Sequence, residues 1–382
     1  MPDQPAIPDD AVPENSAELA RPSASRLHPE EIAPALTAWF TSKAGAPVTL
    51  TEIHPPDGNG MSSETIIVDA EWDGQPHHLV VRVAPSPDSD PIFPSYDLDN
   101  QFRLMDYVGK TTSVPVPPLY WSEPSEAVIG APFIVMGRVD GEIPPDVLPY
   151  TFGSWLTEAT DDDRATLQRT TIEALAAIHA APIPADLLSA PRPGETPMAA
   201  HLRELDDLYA WITRGRAGSP LLERALAWCR DNLPTTGDEV LCWGDARIGN
   251  VIYRDFGPVA VLDWEMAVRA PRELDVAWGI ALHRFFQDIA EMAGMPGLPA
   301  FWRRSDVEQA YAEISGATLE DMDFFITYAT LCYSIVLFRV QCRAVDFGQA
   351  EEPANPDDKI LNQATLAAMM DGTYWGGVGA NR

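Results

Sequence analysis

Apolar positions change period twice along the 382-residue chain. Residues 29–42 carry Ile32, Leu36, Trp39 and Phe40 at helical spacing behind Pro29, a residue suited to a first helical turn. Strand signals follow at 48–53 (VTLTEI), 65–72 (TIIVDAEW) and 77–83 (HHLVVRV). Asp73-Gly74 between the last two is a two-residue hairpin turn. A Pro-rich loop at 84–95 leads into a helix over 97–109, with Leu98, Phe102 and Met105 on spacing and Val108–Gly109 as its stop. PVPPLYWSE (115–123) and PFIVMGRV (132–139) read as two further strands. The hairpin at the start, in place of crossovers, predicts an antiparallel sheet carrying one helix rather than a doubly wound sheet.

Beyond residue 140 the period becomes mainly helical, with helices predicted at 162–180, 201–215, 221–233, 274–292, 305–315, 320–345 and 358–371. Three short apolar runs interrupt them: VLCW (240–243), NVIYRD (250–255) and PVAVLDW (258–264). The expected class is α+β. A sheet unit spans 27–137 and a helical unit 138–382, and residues 1–26, rich in Pro, Ala, Asp and Ser, form a mobile arm.

Composition narrows the class. Hydrophobic residues make up 46% of the chain, enough for a sizeable core. The first 26 residues have neither a basic n-region nor an apolar h-region, so no secretory signal is expected. No run of about 18 apolar residues occurs, so no membrane span is expected either. Cys229, Cys242, Cys332 and Cys342 form no C-x-x-C pair and read as reduced thiols of a cytoplasmic protein. The formal charge of −31 argues against nucleic acid as a partner, because phosphates would be repelled. It would suit a cationic substrate, but plain solubility is the preferred reading, because charge speaks to association rather than to reaction.

The candidate chemistry lies in LCWGDARIGNVIYRDFGPVAVLDWE, residues 241–265. Asp245 is followed by Asn250 on the same loop, and Asp263 ends the next apolar run. Phosphoryl transfer needs such a set: one carboxylate to take a hydroxyl proton, and an amide and a second carboxylate as hard oxygen ligands of Mg²⁺. Catalytic loop 243–250 and metal turn 263–265 therefore assign Asp245 as base and Asn250 and Asp263 as metal ligands. Arg247 is placed to reach the γ-phosphate, and Glu265 to support Asp263 or a second metal.

Three further segments each have two readings. DGNGMSSET (57–65) is either a hairpin loop or a phosphate cradle in which Gly60, Ser62 and Ser63 let backbone N–H groups approach. Arg82 is either an ordinary strand arginine or the cation on the α- and β-phosphates. Only three lysines occur, at 43, 110 and 359, and none falls on that strand. PFIVMGRVDG (132–141) is a strand and turn, or a hinge in which the Gly137 carbonyl and Val139 N–H meet an adenine edge. His179, Trp278, Trp302 and the Phe285-Phe286 pair read as packing residues, and Asp275 as a brace for the catalytic loop.

These motifs, together with GMSSETI, VVRVAP, VPVPPLYW, RVDGEIPPDVLPYTFG, LAAIH and PRELDVAW, resemble the aminoglycoside-phosphotransferase-like family, most nearly an actinobacterial branch that includes mycobacterial members. The resemblance covers roughly residues 57–280. It implies a protein-kinase-like two-lobe fold, ATP or GTP as co-substrate, Mg²⁺, and a small-molecule hydroxyl as acceptor, an aminoglycoside-like cation among the candidates. It also implies Asp245 as base, Asn250 and Asp263 as metal ligands, and 137–139 as hinge. Two letters depart from the pattern. Trp243 stands where the family has His, and Gln101 stands where a helix Glu would pair with the strand cation. These departures support an alternative, a nucleotide-binding regulatory module without transfer activity.

Overall fold

The computed structural model describes residues 28–54, 64–86, 89–235 and 237–378. Helix α1 (Pro29–Ala44) turns Ile32, Leu36, Trp39 and Phe40 inward, all buried, against one face of a five-stranded sheet. The sheet comprises β1 (Thr49–His54), β2 (Glu64–Trp72), β3 (Gln75–Val83), β4 (Leu119–Glu123) and β5 (Phe133–Gly137), in the order β1-β2-β3-β5-β4. Every neighbouring pair is antiparallel. Asp73 and Gly74 both take positive φ (52° and 70°), so Trp72 pairs with Gln75 across the two-residue turn that the sequence predicts. Helix α2 (Leu98–Thr111) starts at Asp97, whose carboxylate accepts the Asn100 N–H at 2.9 Å. Gly109 does not stop it. The glycine is needed because a Cβ there would lie 2.7 Å from a Val116 methyl carbon.

The helical remainder holds α3 (Trp155–Glu158), α4 (Asp161–His179), α5 (Pro197–Ile212), α6 (Pro220–Asp231), α7 (Glu273–Met292), α8 (Arg304–Ser315), α9 (Met322–Asp346), α10 (Gln363–Met370) and α11 (Tyr374–Val378). The expected helix at 358–371 is in fact a 3-10 turn (Pro356–Lys359) followed by α10, and α11 is not legible in the pattern. Helix α9 is long and apolar enough to cross a membrane by length and composition, but most of it is buried against the other helices. Set into these helices are two small sheets, β6 (Glu239–Cys242) with β9 (Val268–Pro271), and β7 (Val251–Arg254) with β8 (Gly257–Val261). The chain leaving β5 is tied to β7 through reciprocal backbone bonds between Glu142 and Tyr253. Gly141 permits this approach, since a Cβ there would meet the Tyr253 carbonyl at 2.5 Å.

Two histidines of the helical part make stability depend on pH. The Nδ1 of His201 shares a hydrogen bond with the Tyr328 hydroxyl (2.7 Å), and that of His283 with the Tyr150 hydroxyl (2.9 Å). Burial pushes His201 down to about 4; burial and the neighbouring Arg284 push His283 down to about 3. Above the unfolded value of 6.5 both are neutral in either state and contribute nothing. Below it only the unfolded chain takes up protons, so stability falls as pH drops from 6.5 toward 4. The slope is about 1.4 kcal/mol per pH unit for each histidine. Urea midpoints across that window should fall less steeply in His283→Gln than in the parent, and identical slopes would contradict the assignment.

Candidate active site

The residues between β6 and β7 form a tight loop in which Asp245 is the common acceptor. Its Oδ1 accepts the Trp278 indole N–H at 2.6 Å and the Arg247 Nε–H at 3.0 Å. Its Oδ2 accepts from Asn250 Nδ2 at 2.6 Å. The 3-10 turn Ile248–Asn250 brings Asn250 back over the loop, where its Nδ2 also donates to the Asp245 carbonyl at 3.1 Å. With the amide N–H groups directed at Asp245, the Asn250 side-chain oxygen is left as an acceptor or metal ligand. The Asn250 carbonyl accepts from Leu262 N–H at 2.8 Å, which ties the loop to the segment before Asp263.

Strand β8 ends at Val261, and Asp263 adopts φ 58°, a left-handed conformation that Asp tolerates better than most residues. Arg82 on β3 donates to Asp263 Oδ1 at 3.0 Å and lies 3.9 Å from Glu265 Oε2. Burial opposes the charge on Arg82, but the carboxylates of Asp263 and Glu265 outweigh it and raise its pKa. The strand cation thus faces the metal turn, and the Gln101 amide oxygen accepts no hydrogen bond from it. Asn250, Asp263 and Glu265 offer hard oxygen donors only, a set that fits Mg²⁺.

Behind the loop, buried Asp275 on α7 accepts the backbone N–H groups of Trp243 (2.6 Å) and Gly244 (2.9 Å), and faces His179 Nε2 at 3.0 Å. His179 Nδ1 in turn faces the Tyr311 hydroxyl at 2.7 Å. His179 is therefore a packed residue in a bracing chain. Gly244 sits at φ 93° with its Cα against Met266, whose carbonyl oxygen would lie 2.0 Å from a Cβ; no other residue fits.

Trp243, the departure from the family pattern, is 2% exposed, and its indole N–H donates to the carbonyls of Leu262 (2.8 Å) and Asp263 (3.1 Å). It links the loop to the metal turn without a titratable ring. Trp243→Phe keeps the apolar bulk but removes both bonds. The expected result is a loss of about 1–2 kcal/mol in stability and a several-fold rise in the Mg²⁺ needed for half-maximal activity. Trp243→His should recover part of the Mg²⁺ effect, and equal Mg²⁺ dependence in Trp243→Phe and the parent would count against the link.

The structure therefore brings Asp245, Arg247 and Asn250 together, and Arg82 with Asp263. Gly60, Ser62 and Ser63 lie outside the described residues. Gly137 ends β5, its N–H bonded to the Pro118 carbonyl, and the Arg138 N–H is taken by His78. The Val139 N–H meets no acceptor among the described residues. Arg247 needs correction: it is not free to reach outward, because its guanidinium is engaged by Asp245 and, through Nη1, by Asp146. Burial opposes its charge, but these carboxylates raise its pKa far above the usual value. Trp278 also needs correction, from packing residue to direct partner of Asp245. Asp146 and Tyr333, which lies close enough to feel the charges of Arg247, Asp146 and Asp245, were missed. No spacing rule could have found them, since 101 residues separate Asp146 from Arg247. Gly249 is the one local signal: a Cβ there would come within 2.7 Å of both Arg247 Nη1 and Asp146 Oδ1.

Residues 55–313 match the sequence profile of the Phosphotransferase enzyme family, and the chain belongs to that family. Its fold is that of the aminoglycoside and macrolide kinases. The "putative aminoglycoside phosphotransferase" of Ralstonia eutropha JMP134 superposes with a TM-score of 0.63 at 19% identity, over 90% of this chain and 98% of that one. Macrolide 2'-phosphotransferase MphH of Brachybacterium faecium gives 0.52 at 19% identity, over 88% and 98%. ADP-bound aminoglycoside phosphotransferase APH(2'')-Ib gives 0.51 at 12%, over 90% and 98%. In sequence, the chain is 25% identical over 229 residues to "Probable acyl-CoA dehydrogenase IBR3" of Arabidopsis thaliana. That match covers 58% of this chain and 27% of the plant protein, so the chain spans about a quarter of that relative's length.

Proposed function

We propose that this phosphotransferase moves the γ-phosphoryl group of Mg²⁺-bound ATP or GTP to a hydroxyl of a small molecule in the cytoplasm. The observation that carries the reading is the Asp245 carboxylate, fixed by Trp278, Arg247 and Asn250, with Asn250 reaching back from the segment joined to Asp263. Asp245 would accept the hydroxyl proton as the acceptor oxygen bonds to the γ-phosphorus and the bond to the β,γ-bridging oxygen breaks, releasing the diphosphate. Asn250 and Asp263 would hold the Mg²⁺, which when bound neutralises charge on the phosphates. Arg82 would meet the α- and β-phosphates from its position on Asp263. Arg247, held by Asp146, orients Asp245. Residues 27–137 form the nucleotide clamp, with Gly60, Ser62 and Ser63 near phosphate and Gly137 and Val139 at the base, and residues 138–382 carry the acceptor cleft. ADP in APH(2'')-Ib and GDP in aminoglycoside 2'-phosphotransferase-IIIa support a nucleotide in this fold. An aminoglycoside-like cation is the acceptor class that the charge of −31 favours.

The test is a thermal shift with ATP, with and without Mg²⁺, followed by an acceptor screen for ADP release. Stabilisation by ATP should depend on Mg²⁺ in the parent and lose that dependence in Asp263→Asn. A shift indifferent to Mg²⁺ in the parent, with no turnover, would favour the regulatory module instead.

A further inference from the structure

A cavity of about 10 Å³ lies between the 3-10 turn Ile248–Asn250, α7 and Trp302. That is room for a single water molecule. Asp146 and Arg247 line it, as do Leu282 and Phe286 on α7. Tyr150 and His283 line it too, but they serve each other, the Tyr150 hydroxyl lying 2.9 Å from His283 Nδ1.

Two other polar atoms of the lining are not served. Trp302 is 4% exposed, and its indole Nε1–H has no acceptor among the described residues. Asp146 gives Oδ2 to Arg247, while its Oδ1 is buried and has no donor among the described residues. A buried donor or acceptor left in this way costs stability unless a partner arrives. The pair narrows what that partner is. A cation would meet Asp146 but face the indole N–H and Arg247. An anion would suit the indole and be repelled by Asp146. One oxygen that accepts once and donates once suits both, and in this space that oxygen is water.

Two glycines leave the room for it. A Cβ on Gly249 would lie 2.7 Å from Asp146 Oδ1, and one on Gly279 would lie 3.1 Å from Trp302 Nε1. The indole itself is held in place. The backbone N–H of Trp302 donates to Gln168 Oε1 at 2.8 Å, and the residue takes φ 51°, a conformation that a bulky side chain adopts only where its surroundings impose it.

We propose that Trp302 is a positioning residue for Asp245. A buried water accepts from its indole N–H and donates to Asp146 Oδ1, which fixes the plane of that carboxylate. Asp146 Oδ2 then fixes the Arg247 guanidinium, whose Nε meets the two oxygens of Asp245 at 3.0 and 3.1 Å. Without the bridge Asp146 is free to rotate, Arg247 follows it, and Asp245 loses its aim at the acceptor hydroxyl. The kinetic consequence rests on the base role proposed for Asp245; the water bridge itself does not.

The first test is a high-resolution crystal structure of the full chain without nucleotide. An ordered water should lie about 2.7–3.2 Å from both Trp302 Nε1 and Asp146 Oδ1. Well-ordered Trp302 and Asp146 side chains with no water between them overturn the bridge. The second test is steady-state kinetics with an acceptor found by ADP release. Trp302→Phe should lower kcat by about fivefold, with the KM for ATP and the melting temperature of the parent retained. Gly279→Ala keeps the indole but crowds the water, so it should lower kcat in the same way, and it carries the test should Trp302→Phe fail to fold. In an Asp146→Ala background Trp302→Phe should change kcat no further, because both act along one path. Parent-like kcat in Trp302→Phe and Gly279→Ala, or losses that multiply in the double variant, overturn the positioning role. Parent-like turnover in Asp245→Asn counts instead against the base reading, and the crystallographic water still decides the bridge.

Discussion

Asp245→Asn is expected to lower kcat by about a thousandfold, within the 10²–10⁴ range for losing a positioned general base, while Mg²⁺-dependent stabilisation by ATP persists. The geometry explains why the substitution is not benign. The Asp245 carboxylate accepts from three side chains, Trp278, Arg247 and Asn250, and is suited to that as an acceptor-only group. An asparagine must turn its NH₂ toward the Trp278 indole and Arg247 or toward Asn250 Nδ2, donor against donor. The chemistry loses its base and the loop loses a fixing point. Single-turnover kinetics with an acceptor found by ADP release would separate the chemical step from binding. Turnover within tenfold of the parent would remove Asp245 from the proton-accepting role.

Asp275→Ala should destabilise the fold by about 3–5 kcal/mol, the usual consequence of emptying one side of a buried, hydrogen-bonded charged cluster. Asp275 has no exposed surface and serves three partners: the backbone N–H groups of Trp243 and Gly244, and His179. Removing it strands two backbone donors in the core and separates His179 and Tyr311 from the loop they brace. Total stabilities run to about 5–15 kcal/mol, so a loss of this size is large. The check is chemical denaturation followed by tryptophan fluorescence. A loss under about 1 kcal/mol would mean that the loop is held by its own turn geometry.

Much of the architecture was legible because its cause is local. The alternation in 65–72 and 77–83, with Asp73-Gly74 between them, specifies a hairpin: the side-chain period is two, and only residues tolerant of positive φ close the turn. The stripe of Ile32, Leu36, Trp39 and Phe40 specifies a buried helix face for the same kind of reason. Element ends were less legible. Gly109 looked like a stop but serves a close contact with Val116, and β8 ends at Val261, short of the end of its apolar run.

The sequence by itself determined the set proposed to carry the chemistry, because an acid, an amide and a second acid on two adjacent turns are bound by short spacing. It also determined the sheet-then-helices order, because periodicity is a property of consecutive residues. Tertiary structure decided what surrounds that set. It put Asp146 on Arg247, Trp278 on Asp245, Asp275 under the loop and Arg82 on Asp263, pairs separated by up to 181 residues. It turned Trp243 from an anomaly into the donor that ties the loop to the turn at Asp263. Contacts of this kind arise only when helices and strands distant in the chain pack into one core, and no local pattern of residues encodes them.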